Sequence, residues 1–292
     1  MATKRGRTAQ RLELGLQLRQ LRENCETETG TGMTRRHAVQ GLRISEPSLQ
    51  RIETGSLNFR NVGDLRKLLT KYGVHDEEII DSLISLNRES SQQDWLTQHR
   101  GVMPAGMPAF VGLEPEAQSM KAYHPSLVYG LLQTERYALA LHEVQKPIEE
   151  TTTEFIRSSL AVRMERQGVL TREAPIRLHV ILAEAALRYP VGGADVMREQ
   201  YAKLETLTSW DHVTIQVLPY RWSYRAAHDF AILDFGKEFP PRVQADSPWG
   251  SVSTSDKPRE VGRFTRRFDA MTASALPPED TPAFLHRLER EL

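Results

Sequence analysis

At 292 residues the chain is long enough to bury more than one core. Its 39% hydrophobic and 26% charged residues are those of a soluble globular protein, and no apolar run reaches the roughly 18 residues of a membrane-spanning helix. Net charge is zero, yet residues 1–75 hold 14 lysines and arginines against 7 acidic residues, which leaves the remainder acidic. A small basic part beside a larger acidic one suits a polyanion reader joined to a domain that need not touch the polyanion.

The N-terminus is basic (Lys4, Arg5, Arg7, Arg11), but no apolar stretch follows, so a secretory signal is not expected. The single cysteine, Cys25, excludes an internal disulfide and a cysteine-based zinc site. Cytoplasmic residence, no metal and no cofactor are the expectations. Residues 1–9 read as a disordered basic arm. Over Gln10–Asn24, Leu14, Leu18 and Leu21 recur at helical spacing. A polar, glycine-containing loop follows at 26–32.

The stretch Met33–Gly55 predicts two short helices joined by a tight turn. Thr34 caps a helix over Arg35–Gly41, and Leu42 points into the core. Ser45 caps a second helix from Glu46 to Thr54, with Pro47 in its first turn and Gly55 at its end. Leu49 and Ile52 form the inward stripe. Two more helices are expected over Val62–Tyr72 and Asp76–Glu89.

Residues 10–75 resemble the XRE-type, lambda-repressor-like helix-turn-helix domain. The residues that carry the likeness are Leu18, Leu21, Met33-Thr34, Leu42, Ile44-Ser45, Ser48 and Arg51-Ile52-Glu53-Thr54-Gly55. One departure stands out. Arg43 occupies the turn position usually held by glycine, where a left-handed backbone would cost an arginine about 1 kcal/mol or more.

Residues 90–108, polar and then rich in Pro, Gly and Met, read as a linker in which Trp95 packs on a surface. From 109 to 292 a second domain is expected. Helical spacing runs over Ala109–Tyr123, and helices are expected over Gln133–Leu141, Thr152–Arg166, Glu184–Arg188, Asp195–Leu207, Arg259–Ala275 and Pro282–Leu292. Strands are expected over Ile176–Leu182, Val213–Leu218 and Phe230–Phe235. Residues 237–258 are too rich in Pro, Ser and Asp to assign, apart from a short strand over Arg242–Ala245. The expected fold is thus α+β: an N-terminal all-α five-helix DNA-binding domain followed by a larger mixed α/β domain.

This second part is similar to a C-terminal domain of unknown function fused to XRE-type heads in Streptomyces and related actinobacteria. Proteins of that family are often labelled antitoxin-like transcriptional regulators. The matching stretches are GLEPEA (112–117), YHPSLVYGLLQTERYA (123–138), VRMERQGVLTREAPIRLHVILAEAALRYPVGG (162–193), VTIQVLPY (213–220), FAILDF (230–235) and FTRRFDAMTASAL (264–276). His124 and Tyr129 stand where the family usually has an acidic residue and proline, Ala183 where it has aspartate, and the segment 221–229 is shortened. The resemblance implies a small partner protein.

A recognition helix places side chains on base edges in the major groove. Glu46, Pro47, Gln50 and Arg51 face away from Leu49 and Ile52 and are the expected base readers: Arg51 for guanine, Gln50 for adenine, Glu46 for a cytosine amino group. Arg35, Arg36, Ser48, Asn58 and Arg60 are the expected phosphate contacts. Alternatively, Arg51 and Glu53 form surface salt bridges. Double-stranded operator DNA and a homodimer follow from the motif.

In the second domain Arg163, Arg166, His179 and Arg188 are candidates to line an anion pocket for a small-molecule effector. Tyr220, Trp222 and Tyr224 are candidates for a protein-partner surface. His179 with Glu184 five residues on makes a weak proton-transfer pair. The chain lacks HExxH, a P-loop and GxSxG, so no enzyme is expected. The reading is a sequence-specific DNA-binding transcriptional regulator whose second domain takes a partner protein or ligand. An antitoxin-like interaction module with weak DNA binding, an enzyme and a small-molecule sensor are the alternatives.

Overall fold

A computed structural model describes residues 7–27, 30–91, 99–221, 223–247 and 250–292. Residues 1–6, the part of the expected linker at 92–98 that holds Trp95, and Trp222 lie outside the described residues. The chain divides into two units, Met1–Gln98 and His99–Leu292.

The first unit holds five helices among its described residues: α1 (Arg7–Asn24), α2 (Arg35–Ala38), α3 (Glu46–Glu53), α4 (Val62–Lys71) and α5 (Glu77–Ser91). The 26–32 loop carries two minimal antiparallel strands, β1 (Glu26–Thr27) and β2 (Gly30–Thr31). Leu14, Leu18, Ala38, Leu49, Ile52, Leu65, Leu68 and Leu83 form one core. The expected disordered arm is corrected at its end: α1 already runs from Arg7, because Thr8 and Ala9 are buried.

Both expected caps are present. Thr34 accepts from the His37 N–H, and Ser45 accepts from the Ser48 N–H. The expected strain at Arg43 is also corrected. Glu150 is the single described non-glycine residue at positive φ, and the left-handed position of the turn falls on Gly41 (φ 72°). The glycine the turn needs stands two residues earlier, so arginine is free to occupy 43.

The second unit is built on a six-stranded sheet of β3 (Ser119–His124), β4 (Arg177–Ala183), β5 (Val213–Leu218), β6 (Phe230–Asp234), β7 (Arg242–Asp246) and β8 (Val252–Ser255). The spatial order is β5-β4-β3-β6-β7-β8. β3, β4 and β5 are parallel, whereas β6, β7 and β8 run antiparallel from β3 outward. β3 is therefore the join between two halves of opposite sense. Helices α6 (Met107–Val111), α7 (Glu135–Glu149), α8 (Thr153–Arg166), α9 (Glu184–Arg188), α10 (Ala194–Thr208), α11 (Pro258–Thr272) and α12 (Thr281–Glu291) complete the unit.

Strand parity decides what covers each face. Tyr123, Ile181, Leu218, Phe230, Ile232 and Val243 pack against Val261, Phe268 and Met271 of α11. The alternate residues face the other way, toward α7 and α8 at the His124 end of β3. The expected helix over Ala109–Tyr123 is overturned. Pro115 interrupts it, and Ser119–His124 alternates half-exposed Ser119 and Lys121 with buried Met120 and Ala122, which is a strand's period. Residues 237–258, left unassigned apart from one short strand, contribute both β7 and β8.

Candidate functional site

The outward face of α3 is open. Glu46, Pro47, Gln50 and Arg51 are exposed, and Leu49 and Ile52 are buried beneath them. The helix ends on a left-handed Gly55: its N–H donates to Ile52 O, and the next N–H, of Ser56, donates to Arg51 O. That double bond pattern satisfies the last carbonyls and stops the helix sharply. Arg51 forms no ion pair among the described residues.

Glu53 does not form a surface salt bridge. It is 1% exposed and accepts from Arg22 Nε at 2.6 Å and from Arg35 Nε at 2.6 Å. Burial opposes the charge on Arg22, but the hydrogen bond and charge of Glu53 hold its pKa above the ordinary value. Arg22 also donates to Met33 O, so one carboxylate and one guanidinium tie α1, α2 and α3 together.

The expected phosphate contacts separate on this geometry. Arg36 and Arg60 are exposed. Arg35 is turned to Glu53, and Ser48 is engaged with the Ser45 cap, the two hydroxyls 2.9 Å apart. Asn58 donates to Asn87 O and Ser90 Oγ and clips its loop to α5. Arg35, Ser48 and Asn58 thus hold the domain's own structure.

In the second unit a cavity of about 200 Å³ opens at the carboxyl end of β3. Arg163 and Arg166, one helical turn apart on α8, both line it, together with His124, Gln133, Asp229, Gln244 and Asp246. Arg166 is neutralised by Glu114, which is 1% exposed and takes two hydrogen bonds, at 2.7 and 3.0 Å. Burial works against the Arg166 cation, and Glu114 more than offsets it, raising the pKa overall. Arg163 has no such partner. Its Nη1 donates to Gln133 Oε1 at 2.6 Å, and it forms no ion pair among the described residues. Burial, and then the neighbouring Arg166, lower its pKa to about 10.

The other wall is acidic. Asp229 precedes β6 and Asp246 ends β7, and the register Phe230↔Ala245 sets the two carboxyls opposite each other. Burial first, then the charge of Asp246 and a hydrogen bond to it, raise Asp229 to about 6. His124 Nδ1 lies 3.6 Å from Asp229 Oδ2, and the ring stacks on Tyr129 at 4.5 Å. Burial, then Arg166, lower His124 to about 3, so the ring is neutral near pH 7 and this contact is not an ion pair there. Its buried Nε2 has no hydrogen-bond partner.

The expected four-residue anion pocket does not assemble. His179 is on the opposite strand parity from the cavity: its ring meets Phe268 edge-on at 4.9 Å and bonds Gln216 at 2.7 Å. Arg188 is held by Glu184 and Glu291. Tyr220 and Tyr224 are 63% and 43% exposed. Glu114, His124, Asp229 and Asp246 were missed as a group because they come from four separate segments. The findable signal was the antiparallel pairing of 230–234 with 242–246, which alone brings the two aspartates together. Among the described residues no three His, Cys, Asp or Glu side chains gather as metal ligands do, and no helix is long and apolar enough to cross a membrane.

A family model described as a helix-turn-helix domain matches residues 13–80, and one described as a domain of unknown function (DUF5753) matches residues 107–287. No curated protein and no solved structure matches the chain. The second match spans more than half of the sequence, so the chain belongs to the DUF5753 family, with a DNA-binding helix-turn-helix domain ahead of that domain.

Proposed function

We propose that the chain is a sequence-specific transcription regulator that binds operator DNA as a homodimer. The observation that carries this reading is the free outer face of α3, where Gln50 and Arg51 are exposed on a helix capped at both ends. An arginine without an ion pair is available for a guanine edge, and the amide of Gln50 suits adenine. Arg36 and Arg60 supply backbone contacts. Two copies are proposed because one module of this size makes few contacts, and paired half-sites about one helical turn apart multiply them. The larger domain modulates binding and recognises rather than transforms what it takes up; the polar cavity favours a small ligand for that role. The exposed Tyr220 and Tyr224 support a second reading, in which an antitoxin-like partner protein docks there.

The test is retardation of the DNA upstream of the chain's own gene. The parent chain is expected to select one site, and Arg51→Ala to lose selection while keeping weak binding to any duplex. Absence of retardation by the parent at low salt would sink the proposal, as would unchanged selection by Arg51→Ala.

A further inference from the structure

The cavity at the carboxyl end of β3 lies where the sheet changes from parallel to antiparallel. The order of addition also reverses there, β4 and β5 lying on one side of β3 and β6 on the other, and open α/β sheets take up ligands outside the carboxyl ends of strands at such a switch. Its walls carry two unmatched demands. On the helix side, Arg163 is a half-buried cation with one neutral acceptor, Gln133, although Arg166 on the next turn has a full carboxylate partner. A cation drawn partly out of water without a counter-charge is costly, so the fold alone gains little from keeping Arg163. On the strand side, the register sets Asp229 opposite Asp246, and His124 Nε2 has no partner; this wall is rich in acceptors and short of donors. Between them Leu127, Val128 and Leu141 supply apolar surface.

We infer that this cavity binds a small organic carboxylate that also carries a hydroxyl or amine donor on an apolar body. The carboxylate completes Arg163. The donor meets the Asp229–Asp246 pair. A phosphate dianion is disfavoured, because its second charge would face the two aspartates. A cavity of about 200 Å³ restricts the ligand to a small molecule. The inference rests on reading the larger domain as a receiver, and because binding is measured without DNA its failure is distinguishable from that of the operator proposal.

The test uses the full chain and five probes, 4-hydroxybenzoate, L-phenylalanine, the amides of both, and benzoate, each to about 10 mM, a range that detects even weak binding. Calorimetry and thermal unfolding are expected to show one or both acids binding and raising the melting temperature. The corresponding amide should bind about tenfold weaker or more, the cost of a lost charge-assisted pair. Arg163→Met should abolish acid binding and melt no lower than the parent without ligand, since it removes an unmatched charge. Asp229→Asn keeps Arg163 in place and should lose the preference for 4-hydroxybenzoate over benzoate. The inference is overturned if neither acid binds the parent chain, or if acid binding survives both substitutions unchanged.

Discussion

Arg22 on α1 donates to Glu53 on α3 across 2.6 Å, inside the first unit, with the carboxylate 1% exposed. The outer face of α3 is therefore held by a charge pair beneath it as well as by Leu49 and Ile52. Removing one partner of a buried pair leaves the other charge uncompensated. Glu53→Ala is expected to lower stability by about 3–5 kcal/mol, read as a fall in the urea midpoint of the first transition. A midpoint within error of the parent would show that the pair contributes nothing.

Arg35 shares that carboxylate, so its substitution should differ in kind from those of Arg36 and Arg60. Arg36→Ala and Arg60→Ala are expected to leave the urea midpoint unchanged. Each should reduce the steepness of the log affinity against log salt dependence by about 1. Arg35→Ala should instead lower the midpoint. Anisotropy titrations on one duplex at several salt concentrations, beside urea melts, separate the two behaviours; identical profiles for all three would refute the division.

Gly55 combines a left-handed backbone (φ 72°) with close approach: a Cβ there would stand 2.7 Å from the Cα of Leu12. Gly55→Ala must both adopt a strained conformation and push α1 away from the end of α3. A loss of about 2 kcal/mol or more, with weakened operator binding, is the expected outcome in urea melts and gel shifts.

The cavity makes opposite contributions to stability as pH falls. His124 is depressed to about 3, so between its ordinary value near 6.5 and that pH the unfolded chain binds the extra proton and stability is lost. Asp229 is raised to about 6, so between pH 6 and its ordinary value of 3.8 the folded chain binds the extra proton and stability is gained. The two slopes largely cancel from pH 6 to pH 4. Relative to the parent, Asp229→Asn should therefore lose stability on acidification through this range, and His124→Gln should gain it. Each difference approaches about 1 kcal/mol per pH unit. Melting series at fixed ionic strength check both signs, and parallel curves for the three chains would show that neither group is linked to folding.

The head was readable because its signals are local. Thr34 and Ser45 cap helices that begin one residue later, and Leu49 and Ile52 sit one turn apart on one stripe. The exception, Arg43, arose from assigning the turn's glycine by motif alignment, when the backbone uses Gly41. In the second unit the strand at 177–183 announced itself by alternation and β-branched residues, and those at 213–218 and 230–234 by short, largely apolar runs. β3 did not, because Leu113, Ala117 and Met120 fall at helical spacing and carry that pattern into the strand. The cavity depends on contacts over long sequence separations. Glu114 and Arg166 are 52 residues apart, and Asp229 meets Asp246 only once a strand pairing is known. Arg163 and Arg166 were found because they share a helix, whereas His179 and Arg188 were grouped with them on charge alone.

The position of β3 bears on how the chain is made. It is the first long strand to leave the ribosome, yet its neighbour β6 is synthesised about 110 residues later, and α11, which covers one face of the sheet, later still. Until that C-terminal portion emerges, β3 presents an unpaired edge and the parallel half keeps one face uncovered, conditions that favour association between nascent chains. Stop codons or frameshifts between residues 185 and 250 are therefore expected to yield insoluble chains rather than a smaller working domain, so that the head is delivered to DNA only by ribosomes that finish the message.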